Sequence, residues 1–354
     1  MSETAQRSAE PAEPLAGPGG GPGSGNGLRS LLGRGGAAFL RQREASVFIV
    51  AVVLVLYFGI ISSASTSFFT KLNIINVSQG TAPYAIIAVG EVLLLVCGEI
   101  DLSVGYVWVL SPFLMYFFIT DYSIPVFVAI VLALICGAII GLINGFLVVR
   151  LKVPSFIATL GTAFIINGFM LTISQAQAKN LPPQSVGLGK WFGGFSWAEI
   201  IWAILIVAIF HIVFTRTRWG LHTVATGGNL IGASEAGISV AKIKFGNFMV
   251  TSTLGAIAGI LEAFRTNTID PSAGGFTPMF YAVAAAVIGG TALAGGSGTV
   301  LGALLGMLVL AILQDGFNLL GISSNPFLII LGAAILGAMI ANVYLTRLRR
   351  AGRS

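Results

Sequence analysis

Residues 216–244 read RTRWGLHTVATGGNLIGASEAGISVAKIK, the longest charged and polar interruption in the hydrophobic half of the chain. One apolar run, AEIIWAILIVAIFHIVF (198–214), leads into it past Arg216 and Arg218, and another, FGNFMVTSTLGAIAGIL (245–261), leads out past Lys242 and Lys244. Basic residues at both edges assign the interruption to the cytoplasm. Within it, Gly227-Gly228-Asn229 has the composition of a positive-φ stop, and Leu230 to Val240 is expected as a short helix with Leu230, Ile231 and Ile238 near one face. Ala233, Ser234, Ala236 and Gly237 keep that helix slim, a shape that fits a groove on a soluble partner. The plainer alternative is a solvated connector.

Composition sets the class. With 56% hydrophobic and 9% charged residues and a mean hydropathy of +0.93, the chain reads as an all-α integral membrane protein. Its pI of about 9.5 therefore points to membrane orientation and not to nucleic acid. Cys97 and Cys136 both lie in apolar runs and read as small packing residues, with no disulfide or metal role. Residues 1–46, including GPGGGPGSGNG, bury too little to fold alone and are expected as a disordered cytoplasmic tail without a signal peptide.

Ten hydrophobic segments follow, at 47–64, 80–97, 103–120, 124–148, 157–174, 197–214, 247–264, 280–294, 299–316 and 325–345. They define a transmembrane domain over 47–346, with a cytoplasmic loop at 215–246 and a basic cytoplasmic tail at 347–354. The second, third, eighth and ninth are short or glycine-rich, as broken helices are. With the N-terminus inside and ten alternating spans, only Lys71, Lys179, Lys190 and Arg265 of the 19 basic residues fall outside. That asymmetry favours ten spans with both termini cytoplasmic.

A shift of 171 residues lays NGFLVVRLKVPSFIATLG (144–161) over DGFNLLGISSNPFLIILG (315–332). Five helices separate the copies, so a duplication would run in opposite senses through the bilayer, an inverted repeat of five plus five with a path between the halves. Gly137, Gly141 and Gly145 form one four-residue ladder and Gly298, Gly302 and Gly306 another, as close helix packing requires. The GGSG at 295–298 lacks a strand-turn-helix context, and no G-x-x-x-x-G-K-[ST] occurs, so nucleotide binding through a P-loop is excluded.

Gly98-Glu99-Ile100-Asp101-Leu102-Ser103-Val104-Gly105 places two acids between apolar segments, where charge is costly unless solvated, capped or paired. Asp101 or Ser103 has the chemistry to cap the following helix, and a place in a translocation path is compatible with that. Glu91, inside AVGEVLLLV, has no basic residue within a helical turn and must be protonated, hydrated or partnered. Glu262 and Arg265 are spaced to pair with each other. His211 reads as a hydrogen-bonded core histidine, and Asp315 with Asn318 fits an outer mouth. The candidate path comprises Glu91, Glu99, Asp101, Ser103, Asn144 and Asp315.

GEIDLSVG resembles the GGIDLSVG signature of permease subunits of bacterial ABC importers for ribose, xylose, arabinose and related monosaccharides. GGN…AGI at 227–238, AAAVIGGTALAGGSGTVLGALLG at 284–306 and LLGISS at 319–324 agree in the same order, and the resemblance runs from about residue 45 to the end. It implies a multi-pass protein of the bacterial inner membrane, with no catalytic site or cofactor of its own. ATP would bind a separate cytosolic ABC ATPase, a periplasmic or extracellular sugar-binding protein would deliver the substrate, and a second permease subunit would complete the path within membrane lipid. The ATPase-coupling loop would comprise Gly228, Asn229, Ala233, Ser234, Glu235, Ala236, Gly237 and Ile238. Glu99 stands where the signature has Gly, and Met279-Phe280-Tyr281 replaces a usual acidic run, so a polyol remains an alternative to a sugar.

Two other classes compete. A proton-coupled secondary transporter also accommodates inverted repeats and a buried Glu91. A rhomboid-like intramembrane protease would use the GGSG serine with a later histidine, but His211 and His222 both precede Ser297.

Overall fold

The computed structural model describes residues 44–322, 328–333, 336–337 and 340. In chain order, α1 (Glu44–Leu56) continues as a π turn to Ile61, and a short α2 (Ser65–Phe68) leads to α3 (Lys71–Val96), α4 (Val104–Thr120), α5 (Val126–Val149) and α6 (Ser155–Ser174). Then come β1 (Lys179–Asn180), the short α7 (Val186–Phe192), α8 (Ala198–Arg216), α9 (Arg218–Gly228), α10 (Leu230–Glu235) and α11 (Val240–Thr266). β2 (Thr268–Ile269), α12 (Phe276–Ile288) and α13 (Val300–Leu319) complete the order. Among the described residues the only strands are β1 and β2, one antiparallel pair that ties the chain after α6 to the end of α11.

The protein is an all-α, multi-pass membrane protein. Among the described residues seven helices are long and apolar enough to cross a membrane, the first running Glu44–Ile61; α4 and α12 are shorter apolar helices. Of the segments expected to be short or glycine-rich, the third and eighth are short helices, while the second and the glycine-rich ninth belong to continuous helices of 26 and 20 residues. α3 is a continuous 26-residue helix that begins nine residues before the expected 80, because the polar Asn73, Asn76 and Gln79 belong to it. The tenth segment, the N-terminal tail and the C-terminal tail lie largely outside the described residues.

α11 and α3 are the axis of the assembly. Their most apolar windows are 72% and 83% buried, against 28–33% for α1, α5, α6 and α8, which therefore form the outer layer. α11 packs chiefly against α5, α3 and α4, and α3 also against α12, α13 and α8. Small residues make these approaches possible. A Cβ at Gly90 of α3 would lie 2.7 Å from the Thr251 Cα of α11, and one at Gly141 of α5 would lie 2.4 Å from the Phe248 carbonyl. The second ladder does the same work between α12 and α13, where Gly302 meets the Gly289 backbone and Gly306 the Ala285 backbone. Lipid offers no hydrophobic drive for helix association, so dispersion across close backbones supplies it.

Two prolines notch the axis. Pro83 in α3 and Pro112 in α4 have no N–H to donate to the carbonyls of Gln79 and Trp108. Gly259 of α11 sits so close to the second of these that a Cβ would lie 1.7 Å from the Trp108 carbonyl. His211 departs from expectation: it is half-buried, and its Nδ1 is enclosed without a hydrogen-bond partner among the described residues. It stands on peripheral α8, whose most apolar window is only 28% buried.

Gly259→Ala is expected to overpack the α11–α4 contact and cost about 1–3 kcal/mol, read as a lower unfolding temperature in detergent. Gly168→Ala on α6, where a Cβ meets nothing within 4 Å, should leave that temperature unchanged.

Candidate functional site: a polar spine along α11

Near Lys244, α11 carries the first of a series of polar contacts. Lys244 Nζ forms an ion pair with Glu99 Oε1, their side chains only 14% and 11% exposed. One turn on, the fully buried Asn247 accepts from Trp219 Nε1 (2.8 Å). Its amide donates to Leu93 O (3.2 Å), Cys97 Sγ (2.9 Å) and Thr223 Oγ1 (3.3 Å). A single side chain thus joins α3, α9 and α11.

The next contact brings three of the expected path residues together. Asp101 is fully buried; its Oδ1 accepts from Ser103 N (2.8 Å) and Ser103 Oγ (2.6 Å), and its Oδ2 from Ser252 Oγ of α11 (3.1 Å). Asn144 of α5 donates to Ser103 Oγ at 2.8 Å and to both Asp101 oxygens at 3.3 and 3.4 Å. The backbone between α3 and α4 is held by α6, with Leu102 N donating to Thr159 Oγ1 at 3.0 Å. Asp101 and Ser103 make no side-chain cap on α4, contrary to the capping expectation. Their short loop closes on itself, so the carboxylate is spent within it and across to α11. Glu91 lies beside Asp101, fully buried, with the Asp101 backbone N–H nearby but no hydrogen-bond partner for either oxygen among the described residues.

At the Arg265 end the sequence pair is present and larger than expected. Arg265 Nε donates to Glu262 Oε2 at 3.1 Å, its Nη2 reaches Glu262 Oε1, and Glu199 Oε2 of α8 lies 3.0 Å from Nε. Beside this triad is a cavity of about 260 Å³ lined by Asn76, Gln79, Gly80, Pro83 and Tyr84 of α3, Trp108 of α4, and Glu262 and Arg265. A second, of about 250 Å³, shares Trp108 and Glu262 and extends toward Asp270. Tyr84 stacks on Tyr281 of α12 at 5.2 Å. Sequence reading missed this cavity; the intrahelical spacing of Asn76, Gln79 and Pro83 is its one legible signal. Asp315 belongs to neither cluster: its Oδ2 accepts from Asn73 Nδ2 at 2.7 Å and joins α13 to α3.

The 216–244 stretch is more helical than read. α9 occupies its first half, and Gly227 and Gly228 have no positive φ. Asn229 caps α10 by accepting from Gly232 N at 2.9 Å. α10 stops at Glu235 and not at Val240, because Gly237 adopts φ +80° and Ile238 N returns to Ala233 O at 3.0 Å, a Schellman ending. The Ala236-Gly237-Ile238 order carries that signal in sequence. Ala233 is buried, while Gly228, Asn229, Ser234, Glu235, Ala236 and Gly237 are exposed and Ile238 partly so. At the α9 end, Gly227 packs against the Val96 carbonyl, to which Gly296 N donates at 2.8 Å. Gly295 closes over the same carbonyl and Gly98 N.

Residues 72–339 match the family described as "Branched-chain amino acid transport system / permease component". The xylose/arabinose import permease protein XylH of Sulfolobus acidocaldarius is 35% identical over 320 residues, covering 87% of both chains. The ribose import permease protein RbsC of Escherichia coli K12 is 35% identical over 298 residues, 82% of this chain and 92% of that one. The fructose import permease protein FrcC of Rhizobium meliloti is 28% identical over 320 residues, 87% and 88%. No solved structure matches the chain.

A double-mutant cycle at Lys244 and Glu99 checks the spine. Lys244→Met alone should destabilise by about 3 kcal/mol because it strands a mostly buried carboxylate, whereas Lys244→Met with Glu99→Gln should cost clearly less. Equal losses in thermal or denaturant unfolding would show that the pair is solvated.

Proposed function

The chain belongs to this family of transport-system permease components, and on that footing we propose that it is the membrane permease subunit of an ATP-driven, binding-protein-dependent importer of a monosaccharide or related polyol. The observation that carries the reading is the continuous likeness to permeases named for xylose/arabinose, ribose and fructose import over 82–87% of this chain. In it, ATP is bound and hydrolysed by a separate cytosolic ATPase, so this subunit needs no cofactor or catalytic site. A binding protein outside delivers the sugar, and a second permease, identical or similar, completes the path. The protein sits in the bacterial plasma membrane with both termini cytoplasmic, as the basic residues favour.

The architecture proposed is ten spans in two inverted halves. Shifted by 171 residues, α3, α4 and α5 fall at 242–267, 275–291 and 297–320, close to the observed α11, α12 and α13. The Asp-x-Ser loop also recurs between α11 and α12, two residues out of that register, with Asp270 Oδ1 accepting from Ser272 N (2.8 Å) and Oγ (2.6 Å), the same contacts as Asp101 with Ser103. Between the halves, the path runs along the α11 spine past Glu91, Glu99, Asp101, Ser103 and Asn144, with Asp315 bracing its far end.

Coupling is assigned to α9 and α10. α10 leaves Leu230 and Ile231 exposed, the latter by 69%, on a helix capped at both ends. Exposed apolar side chains on a rigid stub suit a groove on the ATPase. The proton-coupled alternative rests on Glu91, a buried acid without a hydrogen-bond partner among the described residues. Proteoliposomes holding the permease, its ATPase and its binding protein separate the two readings. Sugar-dependent ATP hydrolysis within a panel of pentoses, hexoses and polyols supports the import reading; uptake driven by a proton gradient without ATP supports the alternative.

Ile231→Glu should insert normally yet lose most ATPase association, roughly tenfold or more at about 1.5–3 kcal/mol for a buried apolar contact, measured by copurification. Ala233→Trp should fail differently, destabilising the permease itself because Ala233 is already packed inside.

A further inference from the structure

We propose that the cavity at the Arg265 end of α11 is a monosaccharide subsite within the permease, where the sugar pauses between delivery and passage along the spine. The inference rests on the import reading above and adds the place and the contacts.

Size comes first. About 260 Å³ is below the roughly 300–1,000 Å³ typical of drug-sized sites, so the cavity suits a single pentose or hexose ring. Its chemistry is of matching kind. A sugar ring presents a polar rim of hydroxyls that both donate and accept, together with faces of C–H groups. Glu262 offers carboxylate acceptors, Arg265 offers guanidinium donors, and the amides of Asn76 and Gln79 offer both. Tyr84 and Trp108, 6.2 Å apart between ring centroids, provide aromatic surface for the C–H faces.

The independent observation is the Trp108 indole. Trp108 is 5% exposed, its Nε1 is enclosed with no hydrogen-bond partner among the described residues, and it lines both cavities. A buried N–H without an acceptor is costly, so the residue that walls both cavities carries an unsatisfied donor among the described residues. Pro83 contributes as well, since it withholds the helical donor from the Gln79 carbonyl at the same wall. The Glu262–Arg265–Glu199 triad holds two carboxylates to one guanidinium, which leaves acceptor capacity for a hydroxyl without breaking the ion pair.

Gly80 gives the test. It lines the cavity, and a Cβ there meets nothing within 4 Å, so larger side chains enter open space without crushing the fold. In proteoliposomes of the complete transporter, initial uptake of labelled D-ribose and D-fructose is measured for wild type and for Gly80→Ala, Gly80→Leu and Gly80→Phe. Insertion and ATPase copurification are checked for each. The expected result is a graded loss reaching at least tenfold with Phe, with fructose falling before ribose. Trp108→Phe, which removes the indole N–H together with part of the ring, and Glu262→Gln, which keeps volume and removes the charge, should each lower uptake several-fold. Gly168→Phe, which adds the same bulk on peripheral α6, should not. If wild type takes up sugar and the Gly80, Trp108 and Glu262 variants match it, the subsite is overturned and the import reading stands. If wild type takes up no sugar of the panel while its ATPase and binding protein are active, the import reading itself is overturned and the subsite falls with it.

Discussion

The close approach of α11 to α3, α4 and α5 is the contact on which the other arrangements depend. Water cannot drive apolar helices together inside a lipid bilayer, so backbone proximity must do so. Gly90, Gly137, Gly141, Gly255 and Gly259 remove the side chains that would hold these helices apart. Once the helices are this close, their polar residues face one another across short gaps. Asn247 of α11 then reaches both α3 and α9, and Ser252 reaches the carboxylate of Asp101.

Polar groups within such a packing are stable where they are mutually satisfied and informative where they are not. Lys244 with Glu99, and Arg265 with Glu262 and Glu199, bring charge to the two ends of α11 with partners already in place. Between them, Asp101 is saturated by hydroxyl, amide and backbone donors, while neighbouring Glu91 is left without one. The unsatisfied atoms at Glu91 and Trp108 are therefore two of the positions where the described residues do not complete their own hydrogen bonding.

The sequence made the apolar segments legible because hydropathy needs no partner to be read. It also made Glu262–Arg265 legible, because spacing on one helix is local. Contacts across the chain were not accessible in this way. Glu199 joins the same guanidinium from another helix, and no spacing announces it. The start of α3 was misplaced for a related reason: Asn73, Asn76 and Gln79 look like a loop until Asp315 and the cavity supply their surroundings. In the 216–244 stretch the sequence points to a stop at Gly227-Gly228-Asn229 and a helix over Leu230–Val240, yet the decisive glycine is Gly237. A C-cap is recognised by the residue after the helix and not by the densest glycine run.

The junction of Gly227, Gly295 and Gly296 around the Val96 carbonyl contains almost no side chains. Elsewhere in a protein a mutation can enlarge, shrink or reshape a contact, and a neighbour can answer in kind. At this junction every substitution is an addition, because glycine has nothing to trim. The three segments therefore share a geometry that can only be crowded and never relaxed by single changes, and variation in this region must accumulate in the helices that lead to it.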